Sequence, residues 1–126
     1  MSSRAVVVGA LALDAALVTT FAAIGRASHG EAALDGLWIT AWPFLVGMLV
    51  GWAVTRAWRM PAAPLRTGIG VWAAAVVIGM LLRALTGQGT AVAFIIVATI
   101  TLGVFLVGWR AIAALVSHRR ASRAPS

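Results

Sequence analysis

A chain of 126 residues with 62% hydrophobic residues, 10% charged residues and a mean hydropathy of +1.00 is too apolar for a water-soluble domain, in which roughly a quarter of residues carry charge. Its net charge of +7 comes from ten arginines, with no lysine, against three acids. These arginines flank apolar runs instead of lining one basic face, which points to the bilayer as partner and excludes nucleic acid. The absence of cysteine excludes disulfides, thiolate metal centres and thiol nucleophiles.

The first predicted element covers residues 5–25, an apolar run broken only by Asp14. A helix of about 20 residues crosses a hydrocarbon core of about 30 Å, and lipid offers backbone groups no partner, so such a run is a transmembrane helix. The MSSR start resembles the basic region of a cleaved signal peptide, but Asp14 and the continuation to Gly25 argue against cleavage. At 1.5 Å per residue Asp14 falls near mid-membrane, where an ionised carboxylate is expensive. The same count puts Arg110 near the inner surface and Arg26 and Arg83 near the outer one. Thr99 and Thr101 are then the polar groups expected at the level of Asp14. Two readings stay open: a proton-titrating or cation-coordinating site, and a hydrogen-bonded acid that locks two helices together.

The loop RASHGEAALD, residues 26–35, gathers charge of both signs. Arg26, His29, Glu31 and Asp35 are expected at the outer surface, with Arg83 arriving from the third helix. They would form either a set of surface ion pairs, weak as such pairs are, or a proton relay or cation-binding mouth above Asp14. The spacing of His29, Glu31 and Asp35 fits no compact metal-ligand motif. No Ser/His/Asp arrangement and no phosphate-binding glycine loop is visible, so no catalytic set, metal or cofactor is expected.

The second element, residues 36–55, carries no charge and holds Pro43, which removes a backbone hydrogen bond and should bend the helix. Gly47 and Gly51 form a GxxxG pair suited to close helix approach, within the bundle or between protomers. After RAWRMPAAPLR the third and shortest element covers residues 67–85. Following TGQGT, the fourth covers residues 90–116 and leads into a basic tail, 117–126.

The connections are short, so neighbouring helices must be antiparallel. Arg4, Arg56, Arg59, Arg66, Arg119, Arg120 and Arg123 collect at one end, which places both termini and the second loop in the cytoplasm. Trp38 and Trp42 then fall toward the outer surface, and Trp58, Trp72 and Trp109 toward the inner one. The cytoplasmic arginines are expected to touch anionic lipid headgroups. The fold class is thus all-α, one integral membrane four-helix bundle spanning residues 1–126, in a multi-pass protein of the cell membrane.

Asp14 in the first helix, GRASHGE after it, TAWPFLVG in the second, GMLLRALTGQGTAVAF across the third and fourth, and GWR at 108–110 resemble the family known as domain of unknown function 3054. That family comprises small four-helix membrane proteins of actinobacteria and haloarchaea. The resemblance covers roughly residues 5–116, and it implies a bacterial cell membrane location and no assigned activity.

Function is left open between classes. The first is a small transporter or proton-coupled permeation unit using Asp14, with His29, Glu31 and Arg83 at its mouth. Four short helices enclose little volume, so that reading implies a homo-oligomer with its path between protomers. The second is a non-catalytic accessory or structural protein packing against a larger partner through Gly47 and Gly51. A membrane-embedded enzyme comes third, with Arg26, His29 and Glu31 as its only conceivable acid/base set.

Overall fold

The computed structural model describes residues 3–28, 30 and 35–123. Among the described residues four α-helices follow in chain order: α1 (Arg4–Ser28), α2 (Leu37–Thr55), α3 (Ile69–Leu85) and α4 (Val92–Arg123). All four belong to segments long and apolar enough to cross a membrane. At 1.5 Å per residue α1 is about 37 Å long and α4 about 48 Å, so both outreach a hydrocarbon core of about 30 Å. The basic stretch from Ser117 to Arg123 continues α4. The end carrying the α1–α2 and α3–α4 connections is called distal here, and the end carrying the termini proximal.

The tightest pairing is the α2–α3 hairpin, made possible by glycine. A Cβ on Gly47 would stand 2.8 Å from the Ala74 carbonyl oxygen, and one on Gly51 would stand 2.8 Å from the Val71 Cα. The GxxxG pair is therefore used within the bundle, against α3. That corrects its assignment to a larger partner: backbone already occupies the space such a partner would need.

The α2–α3 connection keeps turning after α2 stops. Arg56 takes a left-handed conformation, φ 51°, and ends the helix by giving its N–H to carbonyls of the last turn. A single 3₁₀ turn over Ala57–Arg59 follows, and then a wide turn over Pro64–Gly68 feeds α3. The Thr67 hydroxyl donates to the Met60 carbonyl at 2.6 Å, pinning the loop beneath the bundle.

Pro43 lies inside α2 and is fully buried. Its ring leaves the Ile39 carbonyl, four residues earlier, without its helical donor. Gln88, in the α3–α4 turn, donates its side-chain N–H to that carbonyl at 3.2 Å. Gln88 is itself held by Arg83, whose Nη1 donates to Oε1 at 2.9 Å. Proline thus frees an acceptor that a distant turn takes up, and the distal end is knotted through it.

Along the axis, Phe21, Phe44 and Phe94 meet with ring centroids 5.2 to 6.1 Å apart, Phe21 standing edge-on to Phe44. Below them toward the proximal end, Val18, Met48, Leu102 and Leu106 are buried. The outer surface is apolar as well: Leu49, Val77, Leu81, Ile96, Ile100 and Val104 are exposed. A hydrophobic exterior around a close-packed interior is what lipid as solvent requires.

Candidate functional site

The most polar object in the bundle is built on Asp14, whose side chain has no exposed surface. Arg110 of α4, equally buried, grips it with both arms: Nη2 donates to Oδ2 at 2.6 Å and Nη1 to Oδ1 at 2.9 Å. Two indoles complete the shell, Trp52 Nε1 donating to Oδ2 at 2.7 Å and Trp109 Nε1 to Oδ1 at 2.8 Å. Four donors and no acceptor around one carboxyl group is the pattern of a carboxylate. The remaining arginine donors are used too. Nε reaches the Pro61 carbonyl at 2.7 Å, Nη1 also reaches Leu106 at 2.9 Å, and the guanidinium lies 4.6 Å from the Trp109 ring centre.

This arrangement corrects the expectation that no cation shares the depth of Asp14. Measured from the distal ends of their helices, Asp14 lies about 21 Å down and Arg110 about 27 Å down, roughly one helical turn apart. Side chains lean toward the N-terminus of their own helix. Because α1 and α4 run in opposite directions, Asp14 leans proximally and Arg110 distally, and the long arginine closes the gap. Snorkelling, which would draw Arg110 toward the headgroups, loses to a bidentate ion pair.

Thr99 and Thr101 do not join Asp14. The Thr99 hydroxyl donates back to Ile95 in its own helix at 2.7 Å, and the Thr99 carbonyl accepts from Trp72 Nε1 at 2.8 Å. Thr101 lines a crevice between α1 and α4. Trp72, expected at the inner interface, is thus tied to the middle of α4, and Trp52 and Trp109 belong to the ion pair. The residues missed by sequence reasoning are Trp52, Trp109 and Arg110. Arg110 left a signal, because an arginine inside an otherwise apolar helix calls for an acid and the apolar spans hold one.

A second polar feature stands at the distal end. A cavity of about 200 Å³ is lined by Arg26 of α1, Thr40 of α2, Arg83 of α3 and Phe94 of α4, with Gly25 in its wall. Arg26 Nη1 donates to the Thr40 hydroxyl at 3.3 Å. Arg83 donates from Nε and Nη2 to the Gly89 carbonyl at 3.0 and 2.8 Å and stacks 4.3 Å over the Phe94 ring. The structure therefore does bring Arg26 and Arg83 to one place. Asp35 is exposed nearby in sequence, and His29 and Glu31 lie outside the described residues. Phe94, which lines this cavity, also packs against the buried Phe21 and Phe44 rings, with centroids 6.0 and 6.1 Å away.

Beside it, a crevice of about 220 Å³ runs between α1 and α4, lined by Phe21, Ile24, Val97 and Thr101. The two spaces share Gly25 and Phe94 as walls.

No curated protein and no solved structure matches this chain. The family model described as protein of unknown function (DUF3054) matches residues 11–113, a span holding both Asp14 and Arg110, and the chain belongs to that family.

Proposed function

We propose that this multi-pass protein resides in the cell membrane with both termini cytoplasmic and binds a small anion at the distal end of its bundle. Binding there would be the recognition step of a small transport or permeation unit without catalytic chemistry. The observation that carries this reading is the cavity lined by the Arg26 and Arg83 guanidinium groups from different helices, the Thr40 hydroxyl and the Phe94 ring. Guanidinium groups beside low-dielectric walls attract anions and focus their field into the cavity. In this reading Asp14 is the structural anchor of the bundle, since its carboxylate is already saturated with donors. A permeation path would form between protomers, because the axis below the cavity is filled by Phe21, Phe44, Met48 and Leu102.

The test is anion binding by the purified protein in phosphatidylcholine nanodiscs. Inorganic phosphate and acetate are titrated against a chloride background and followed by calorimetry. Saturable binding that weakens at least tenfold in Arg26→Gln, with helicity unchanged, supports the reading. Absence of saturable binding, or equal binding by Arg26→Gln, overturns it.

A further inference from the structure

The crevice between α1 and α4 is walled by Phe21, Ile24, Phe94 and Val97, and its one polar side chain is Thr101. That hydroxyl is the exception among the threonines of the four helices. Thr19, Thr20, Thr55 and Thr99 each donate to the carbonyl four residues earlier at 2.7 to 2.8 Å, and Thr40 accepts from Arg26. Among the described residues Thr101 has no hydrogen-bond partner. It is half-buried, and no fully buried side-chain polar atom there goes unpaired, so its hydroxyl is open to the crevice. Counted from Val92 at the distal end of α4, Thr101 lies about 14 Å down, at the middle of a hydrocarbon core of about 30 Å. Water does not serve polar groups at that depth, and an acyl chain packed into the crevice would fill the space while giving the hydroxyl no acceptor.

We infer that this crevice binds a neutral ring compound carrying a carbonyl group, which enters sideways from the hydrocarbon and accepts a hydrogen bond from Thr101. Ile24 and Val97 are 50% and 52% exposed, so the space opens between the helices toward lipid. Its volume is about 220 Å³, and an apolar cavity of about 150 Å³ already holds benzene, which leaves room here for one ring with substituents. Phe21 and Phe94, with centroids 6.0 Å apart and planes inclined by 54°, offer such a ring both aromatic edges and faces. A carbonyl is the fitting acceptor because it satisfies the hydroxyl and brings no donor of its own to be left unpaired. Neutrality follows from the lining, which holds no charged side chain to pair an ion at mid-membrane depth. Neither Arg26 nor Arg83 lines this space, so the inference does not rest on the anion-binding reading.

The experiment measures binding of radiolabelled 1-indanone, and of indane, the same bicyclic skeleton without the carbonyl, to the full-length protein in phosphatidylcholine nanodiscs. Equilibrium dialysis gives the free concentration, and uptake by empty nanodiscs is subtracted. The wild type should bind both compounds saturably. Thr101→Val keeps the shape of the side chain and removes its donor; it should weaken indanone about fivefold and leave indane unchanged. Val97→Trp, at a lipid-exposed position, fills the crevice and should abolish saturable binding of both compounds with helicity retained. Arg26→Gln should bind indanone as the wild type does, so that this inference and the anion-binding reading fail separately. Absence of saturable indanone binding by the wild type overturns the inference. So does a Thr101→Val protein that binds indanone undiminished or loses both compounds alike, since the carbonyl would then not be held by the hydroxyl. Saturable binding that persists in Val97→Trp overturns it as well, because the ring would then be held elsewhere.

Discussion

Arg110 and Asp14, ninety-six positions apart in sequence, form a fully buried ion pair with parallel contacts of 2.6 and 2.9 Å. Desolvating two charges is costly, and the pair persists because every strong donor and acceptor around it is matched. Removing one partner leaves the other charged in a region without water. Asp14→Asn and Arg110→Met are each expected to destabilise the bundle by about 3–5 kcal/mol. The double variant Asp14→Leu/Arg110→Met should be more stable than either single change. Thermal unfolding in one detergent, read by loss of helicity, checks this. Additive losses would show that the pair is not coupled.

The two indoles carry a share of that stability. Trp52→Phe and Trp109→Phe each delete one donor to a charged acceptor, 2.7 and 2.8 Å long, and should cost about 1.5–3 kcal/mol each. Because they serve different oxygens of one carboxylate, the double variant is expected to lose more than the sum of the two. Chemical unfolding of the three variants measures it.

Gly47 and Gly51 predict a failure of packing. Their missing Cβ atoms would meet the backbone of Ala74, Ala75 and Val71 at 2.8 to 3.0 Å, which cannot rotate away. Gly47→Ala and Gly51→Ala should each cost about 1–3 kcal/mol, with α2–α3 disulfide cross-linking between introduced cysteines slowed. A change in oligomeric state at unaltered stability would assign these glycines to a contact between copies instead.

Pro43 and Gln88 should be coupled. Gln88→Ala removes the donor that serves the Ile39 carbonyl and is expected to cost about 1–2 kcal/mol with proline present. Pro43→Ala restores a helical N–H for that carbonyl, so Gln88→Ala in this background should cost measurably less. A double-mutant cycle giving zero coupling would separate the two residues.

Topology can be checked directly because the chain has no cysteine. Asp35→Cys and Gln88→Cys should react with an impermeant maleimide from the outside of intact cells, and Ser117→Cys only after lysis. Labelling of Asp35→Cys and Ser117→Cys from one side would contradict an even number of spans.

The four helices were legible because each apolar run suffices by itself to cross a bilayer; residues 36–55 and 67–85 were expected, and α2 over Leu37–Thr55 and α3 over Ile69–Leu85 are observed. The partner of Asp14 was hidden because a count along the helix places backbones, whereas this contact is made by two side chains leaning toward each other. Thr99 matched the depth of Asp14 but turned its hydroxyl onto its own helix, a bond internal to the turn that residue spacing does not register. The GxxxG pattern correctly announced close approach, yet it could not say to which neighbour. For Pro43, sequence gave the missing bond but not the glutamine, 45 positions later, that supplies it.

The neutrality of the Asp14–Arg110 pair has an electrical consequence. A single charge moved through the full membrane potential exchanges about 2.3 kcal/mol per 100 mV, but opposite charges locked 2.6 Å apart present no net monopole for voltage to pull on. The wild-type bundle is thereby indifferent to polarisation at its most polar point. An Asp14→Asn protein would expose a lone guanidinium to that field and acquire a voltage sensitivity that its parent lacks.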